Sequence, residues 1–102
     1  MASHDLLKTY LAEAATYTLL PRDEESRLLL DGRRGDKDAL RKVIQSYLEL
    51  TALLALKLAP ADRDPIEAIQ AANVALLDLL RDESVAEPVL RIIDVVRGAV
   101  SE

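Results

Sequence analysis

The stretch that decides the fold is DKDALRKVIQSYLELTALLALKLA, residues 36–59. Its apolar positions are Leu40, Val43, Ile44, Tyr47, Leu48, Thr51, Leu54, Ala55 and Leu58, separated by threes and fours. That spacing lays them along one side of a helix and contradicts the alternation of a strand. Asp36 is a good N-cap, because its short carboxylate can accept a free amide of the first turn. Gly35 before it and Pro60 after it are natural stops. The spacing predicts a long helix from about Lys37 to Ala59. From Leu50 onward it is apolar on nearly every side, which predicts that this half is the most buried element.

Working towards the N-terminus, Pro21 can occupy the first position of an earlier helix, where its missing N–H is no loss. Asp23, Glu24 and Glu25 complement that helix's positive end, Arg33-Arg34 its negative end, and Gly35 closes it. A first helix is predicted from about Ser3 to Tyr17, capped by Ser3 or Asp5, with Leu6, Leu7, Leu11, Ala14 and Ala15 near one face. Towards the C-terminus, Asp64-Pro65-Ile66-Glu67 combines a cap, a first-position proline and capping-box spacing. The helix it opens runs to about Arg81, with Ile66, Ile69, Val74, Leu76, Leu77 and Leu80 as its buried side. Ser84 and Glu87 repeat the capping-box spacing ahead of Pro88. A fifth helix then carries Val89, Leu90, Ile92, Ile93, Val95 and Val96 and is expected to end at Gly98. No repeat, low-complexity run or linker interrupts the chain. The expected fold is all-α, a compact bundle of four to five helices forming a single domain over residues 1–102.

Composition agrees. Half of the 102 residues are hydrophobic, but only three are aromatic, all tyrosine. A core of Leu, Ile, Val and Ala suits helices better than a β-sandwich. Thirteen Lys and Arg against 18 Asp and Glu leave a net charge of −5, without the basic surplus that drives binding to phosphates. With no cysteine, disulfides, thiolate metal sites and Cys nucleophiles are excluded. No secretory leader is visible, and the longest apolar run, Leu50 to Ala59, contains Lys57 and is too short to span a bilayer. The chain is expected to be cytoplasmic.

Catalytic chemistry is hard to assemble from this set, so no enzyme is expected and neither a cofactor nor a metal is called for. His4 is the only histidine, and the three glycines form no phosphate loop. Asp23, Glu24 and Glu25 are read as a solvated helix N-terminus. Tyr10 and Tyr17, seven apart on the first helix, and Tyr47, in the central stripe, are read as packing residues rather than base-stacking platforms. Glu67, Gln70, Asn73 and Leu77 form a continuous stripe on the fourth helix. By periodicity alone this is a solvated face, although Gln and Asn offer paired donors and acceptors to another chain.

The order of these segments resembles that of bacterial sigma-70 family RNA polymerase initiation factors. The resemblance rests on Asp5-Leu6-Leu7-Lys8-Thr9-Tyr10-Leu11-Ala12-Glu13, then Leu19-Leu20-Pro21-Arg22-Asp23-Glu24-Glu25, then Gly35-Asp36-Lys37-Asp38-Ala39 with the long helix, and finally Ile66-Glu67-Ala68-Ile69-Gln70-Ala71-Ala72-Asn73-Val74-Ala75-Leu76-Leu77. It covers about residues 5–80, the part of the family from just before its second conserved region through the polymerase-binding helix of that region. It implies a sigma region-two-like helical domain. In the family that helix docks on a coiled coil of the clamp of the polymerase's largest subunit. Carried over, Glu67 stands at an acidic position, Gln70 and Asn73 at the family's Gln and Asn, and Ile66, Val74 and Leu77 at bordering apolar positions. RNA polymerase core is then the partner, and the stripe becomes a binding surface serving transcription initiation or its regulation.

The sequence also departs from the family. Ala71-Ala72 replace an acid and a glycine, and Tyr47 and Glu49 replace an Asn and an Arg. Residues 82–102 hold no aromatic and only two arginines, Arg91 and Arg97. The promoter-melting segment of the family is therefore missing from this stretch, and DNA is expected to be reached only indirectly. The alternative is a sigma-derived helical module that binds another helical protein or self-associates, without polymerase or DNA binding. A homodimer through the wide apolar face of Ile92, Ile93, Val95 and Val96 is one form of it.

Overall fold

A computed structural model gives the architecture. It describes the backbone of residues 2–101 and the side chains of residues 5–101. The proposed caps and contacts of Ser3 and His4 therefore lie outside the described side chains. Five α-helices follow one another: α1 Ala2–Ala14, α2 Arg22–Arg33, α3 Lys37–Leu58, α4 Pro65–Arg81 and α5 Ile92–Val100. A single 3-10 turn, Pro88–Leu90, precedes α5, and no strand occurs among the described residues. The expected all-α bundle is the observed one. Its radius of gyration, 13.7 Å, is close to the ~13 Å of a compact domain of about 100 residues.

Local chemistry explains where the helices begin and end. Asp36 accepts the amide of Ala39 at 3.0 Å, which starts α3. Asp64 accepts those of Ile66 and Glu67 at 2.8 and 3.3 Å, which starts α4 with Pro65 in its first turn. Glu67 returns no side-chain bond, so only half of the expected capping box forms among the described residues. Between α2 and α3 the Asp36 amide reaches back to Asp31 O and the Gly35 amide to Gly32 O. This is a Schellman closure, and it places Gly35 at φ +111°, where a side chain would be strained.

Several boundaries differ from the expected ones. Pro21 is the cap residue rather than the first helical residue of α2. The first helix stops at Ala14, so Tyr17 lies beyond it and does not share a helical face with Tyr10. Ser84 does not pair with Glu87. Its amide and hydroxyl both donate to Asp82 Oδ1 at 3.0 and 2.6 Å, an Asx turn that holds the Asp82 carboxyl below its usual range. Gly98 is internal to α5, which runs on to Val100. The reason lies elsewhere in the chain: Arg63 donates to the carbonyls of Ala99 and Val100 at 3.3 and 2.6 Å, satisfying groups a helix end leaves open. Arg33 serves α4 in the same way, donating from Nε to Leu80 O at 2.8 Å.

In the assembled bundle α3 is central, packed against α2, α4 and α5, while α4 and α5 pack on each other. Val43, Tyr47, Thr51, Ala52 and Ala55 of α3 meet Ala68, Ile69, Ala72, Leu76, Leu79 and Leu80 of α4 and Ile92, Val96 and Val100 of α5. Ala52, Ala55, Ala68 and Ala72 are fully buried, and side chains this small let helix axes approach closely. This corrects the expectation for the second half of α3. Its buried side is alanine and threonine, while Leu50, Leu54, Leu56 and Leu58 are only half-buried and Leu53 is 51% exposed. Helix α1 lies across α3 and α4 as the least embedded element.

Candidate functional site

The cap at Asp64 fixes where α4 starts, and the burial of its apolar side against α3 and α5 fixes which residues face outward. At about 100° per residue, the buried set Ala68, Ile69, Ala72, Leu76, Leu79 and Leu80 occupies one side of the helix. The six residues expected to bind a partner share the other side. Glu67, Gln70 and Val74 are exposed, and Ile66, Asn73 and Leu77 are half-buried along the same face. Ile66, Val74 and Leu77, read from the sequence as part of the buried side of this helix, belong to the outer face. Val74 is 63% exposed, an apolar residue standing in the middle of a polar stripe.

Asn73 is less free than its position in the stripe suggested. Its Nδ2 donates to the Tyr10 hydroxyl on α1 at 3.1 Å, and its Oδ1 is buried with no hydrogen-bond partner. Turning the amide over would exchange the two atoms and still leave one end unpaired. Asn73 thus joins α1 to α4 at one border of the face, while Glu67 and Gln70 carry no side-chain hydrogen bond among the described residues. Of the positions that depart from the sigma pattern, Ala72 is fully buried, Ala71 and Glu49 are half-buried, and Tyr47 is 1% exposed. Two of the four, Ala72 and Tyr47, therefore serve packing.

A second constellation was not anticipated. Asp23 and Glu24 are solvated, as expected, but Glu25 is buried at 9% exposure. The signal was present in the spacing: Glu25 shares a helical face with Leu28 and Leu29, both buried. Its carboxylate lies against the phenol of Tyr47. Burial, followed by the hydrogen bond and negative charge of Glu25, pushes the pKa of that phenol well above its ordinary value. The two side chains line a cleft of about 230 Å³ together with Leu19, Leu20, Arg22, Ser26, Ala86, Glu87, Val89 and Leu90.

The face expected to form a dimer seam is largely consumed within the chain. Ile92 and Val96 are in the core and Val95 is half-buried, which leaves Ile93 as the exposed residue of that face, with Val89 and Leu90 exposed in the turn before the helix. Among the described residues no group of three or more His, Asp or Glu is placed to hold a metal, and no helix is long and apolar enough to cross a membrane. Compared with known proteins, the chain matches no family model and no curated protein.

Proposed function

We propose that this chain is a protein-interaction domain that docks a helical partner on the outer face of α4. The partner is RNA polymerase core, met at the clamp coiled coil of its largest subunit, in bacterial transcription initiation or its regulation. The observation that carries this reading is the face itself. Glu67, Gln70 and Val74 stand exposed and unengaged in one row, with Ile66, Asn73 and Leu77 half-buried along it. An exposed apolar residue, Val74, set among the polar Glu67, Gln70 and Asn73 suits a helix laid alongside, since interfaces combine an apolar centre with a polar rim. The resemblance to sigma factors supplies the partner. Residues 82–102, with no aromatic, give no stacking platform for opened DNA.

The test is retention of core polymerase by the immobilised chain. Glu67→Ala with Gln70→Ala is the informative variant, because both side chains are exposed and neither supports the fold. Asn73→Ala would also cut the bond to Tyr10. The proposal expects the parent to retain polymerase and the double variant to lose most of it at unchanged helicity. Equal retention by both, or none by the parent, contradicts it.

A second reading is supported by Glu49, Ala71 and Ala72, which depart from the sigma pattern. Under it the same face takes another helical protein, or a second copy, and polymerase is not a partner. Sedimentation over a range of concentrations separates self-association from the rest.

A further inference from the structure

The cleft beside Glu25 shares no residue with the α4 face and stands independently of the reading given above. Its walls are apolar: Leu19 and Leu20 from the α1–α2 connection, and Ala86, Val89 and Leu90 from the segment before α5. Arg22 at its edge is paired with Glu87. Glu25 has no ion pair among the described residues, and Tyr47 is the side chain that lies against its carboxylate. The cleft therefore holds a carboxylate without an ion pair among the described residues, on a residue that is nine-tenths buried in the first turn of α2. A guanidinium entering the cleft would find an acceptor of opposite charge there and could bind it through charge-assisted hydrogen bonds.

We infer that this cleft receives an arginine side chain presented by a partner protein, with Glu25 taking the guanidinium and the leucine and valine walls taking its stem. Three observations select this occupant. At about 230 Å³, the cleft is smaller than the roughly 300–1,000 Å³ of small-molecule sites and suits a single side chain. Guanidinium is more weakly hydrated than ammonium and pairs in a fork with carboxylate, so it tolerates burial better than lysine. The rim is apolar and open, with Leu19 47%, Val89 45% and Leu90 71% exposed. A free cation would leave that rim wet, whereas a polypeptide carrying the arginine covers it, as the surround of a buried anchor is covered in protein interfaces.

The test is a titration of the full-length, isotope-labelled chain followed by amide chemical shifts. Three probes are compared: the blocked peptide Ala-Leu-Arg-Leu-Ala, the same peptide with neutral citrulline in place of arginine, and free butylguanidinium. The inference expects saturable shifts at Leu19, Leu20, Ser26, Val89 and Leu90 with the arginine peptide. Affinity falls about tenfold or more with citrulline, and by a similar factor in Glu25→Gln, since a charged hydrogen bond is lost in each case. Butylguanidinium binds at the same amides but more weakly than the peptide. Comparison of the two peptides on the parent protein does not depend on the variant folding. Equal affinity for arginine and citrulline, an unchanged affinity in a folded Glu25→Gln, or no saturable shift overturns the inference. Butylguanidinium binding as tightly as the peptide overturns the assignment to a protein partner.

Discussion

At the scale of single residues, the core contains polar atoms whose cost can be measured. Thr51 is fully buried and its Oγ1 has no hydrogen-bond partner. Valine has nearly the same shape without the hydroxyl. Thr51→Val is therefore expected to stabilise the chain by about 1 kcal/mol, read as a rise in the denaturation midpoint at unchanged slope. Tyr47 predicts a pH dependence. Its folded pKa is raised above the unfolded value, so the folded state holds the proton where the unfolded state releases it. The stabilising difference is complete below the ordinary tyrosine pKa of 10.0 and is lost as pH rises above it. The decline attributable to this one group has a slope of up to about 1.4 kcal/mol per pH unit. Tyr47→Phe should remove that component of the alkaline loss of stability, which denaturant titrations at pH 9 and pH 11 would measure. The expectation fails if the parent and Tyr47→Phe lose stability equally between those two values.

At the scale of elements, much was legible because helix starts are local. Asp36 and Asp64 cap through amides two or three residues away, and a short stretch of sequence contains the whole interaction. What escaped was set by distant groups. Helix α5 passes Gly98 because Arg63, 37 residues before Val100, caps its end. The burial of Glu25 was hidden by a sound reading of acids at a helix N-terminus. The half-burial of Asn73 depends on Tyr10, 63 residues away. Gly32 makes a prediction at this scale. A Cβ there would stand 2.9 Å from the Leu40 Cβ and 3.0 Å from its Cα, where α2 meets α3. In an open helix, glycine to alanine is favourable by roughly 1 kcal/mol. At this crossing Gly32→Ala should instead destabilise by about 1–3 kcal/mol. Gly98→Ala, with open space around it, should be neutral or stabilising. Thermal melts of the two variants would show opposite signs if the close approach is real.

At the scale of the whole molecule, the five helices leave two surfaces of different character. One is the polar row of α4 with Val74 at its middle, and the other is the apolar cleft over Glu25. The all-α bundle was legible from composition and periodicity, and so was the stripe of Glu67, Gln70, Asn73 and Leu77 along one side of α4, whereas Val74, read as buried, stands exposed beside it. The partner is not written in geometry, because any helix with matching polar groups would satisfy the same row. Its identity rests on the resemblance to sigma factors. The most direct test places a photo-crosslinking residue at position 74, whose side chain is 63% exposed, and irradiates the chain with bacterial RNA polymerase core. A control carries the same residue at position 41, an exposed site on α3. Docking through the outer face of α4 predicts an adduct with the largest subunit from position 74 and none from position 41. No adduct from position 74, or equal adducts from both positions, would contradict it.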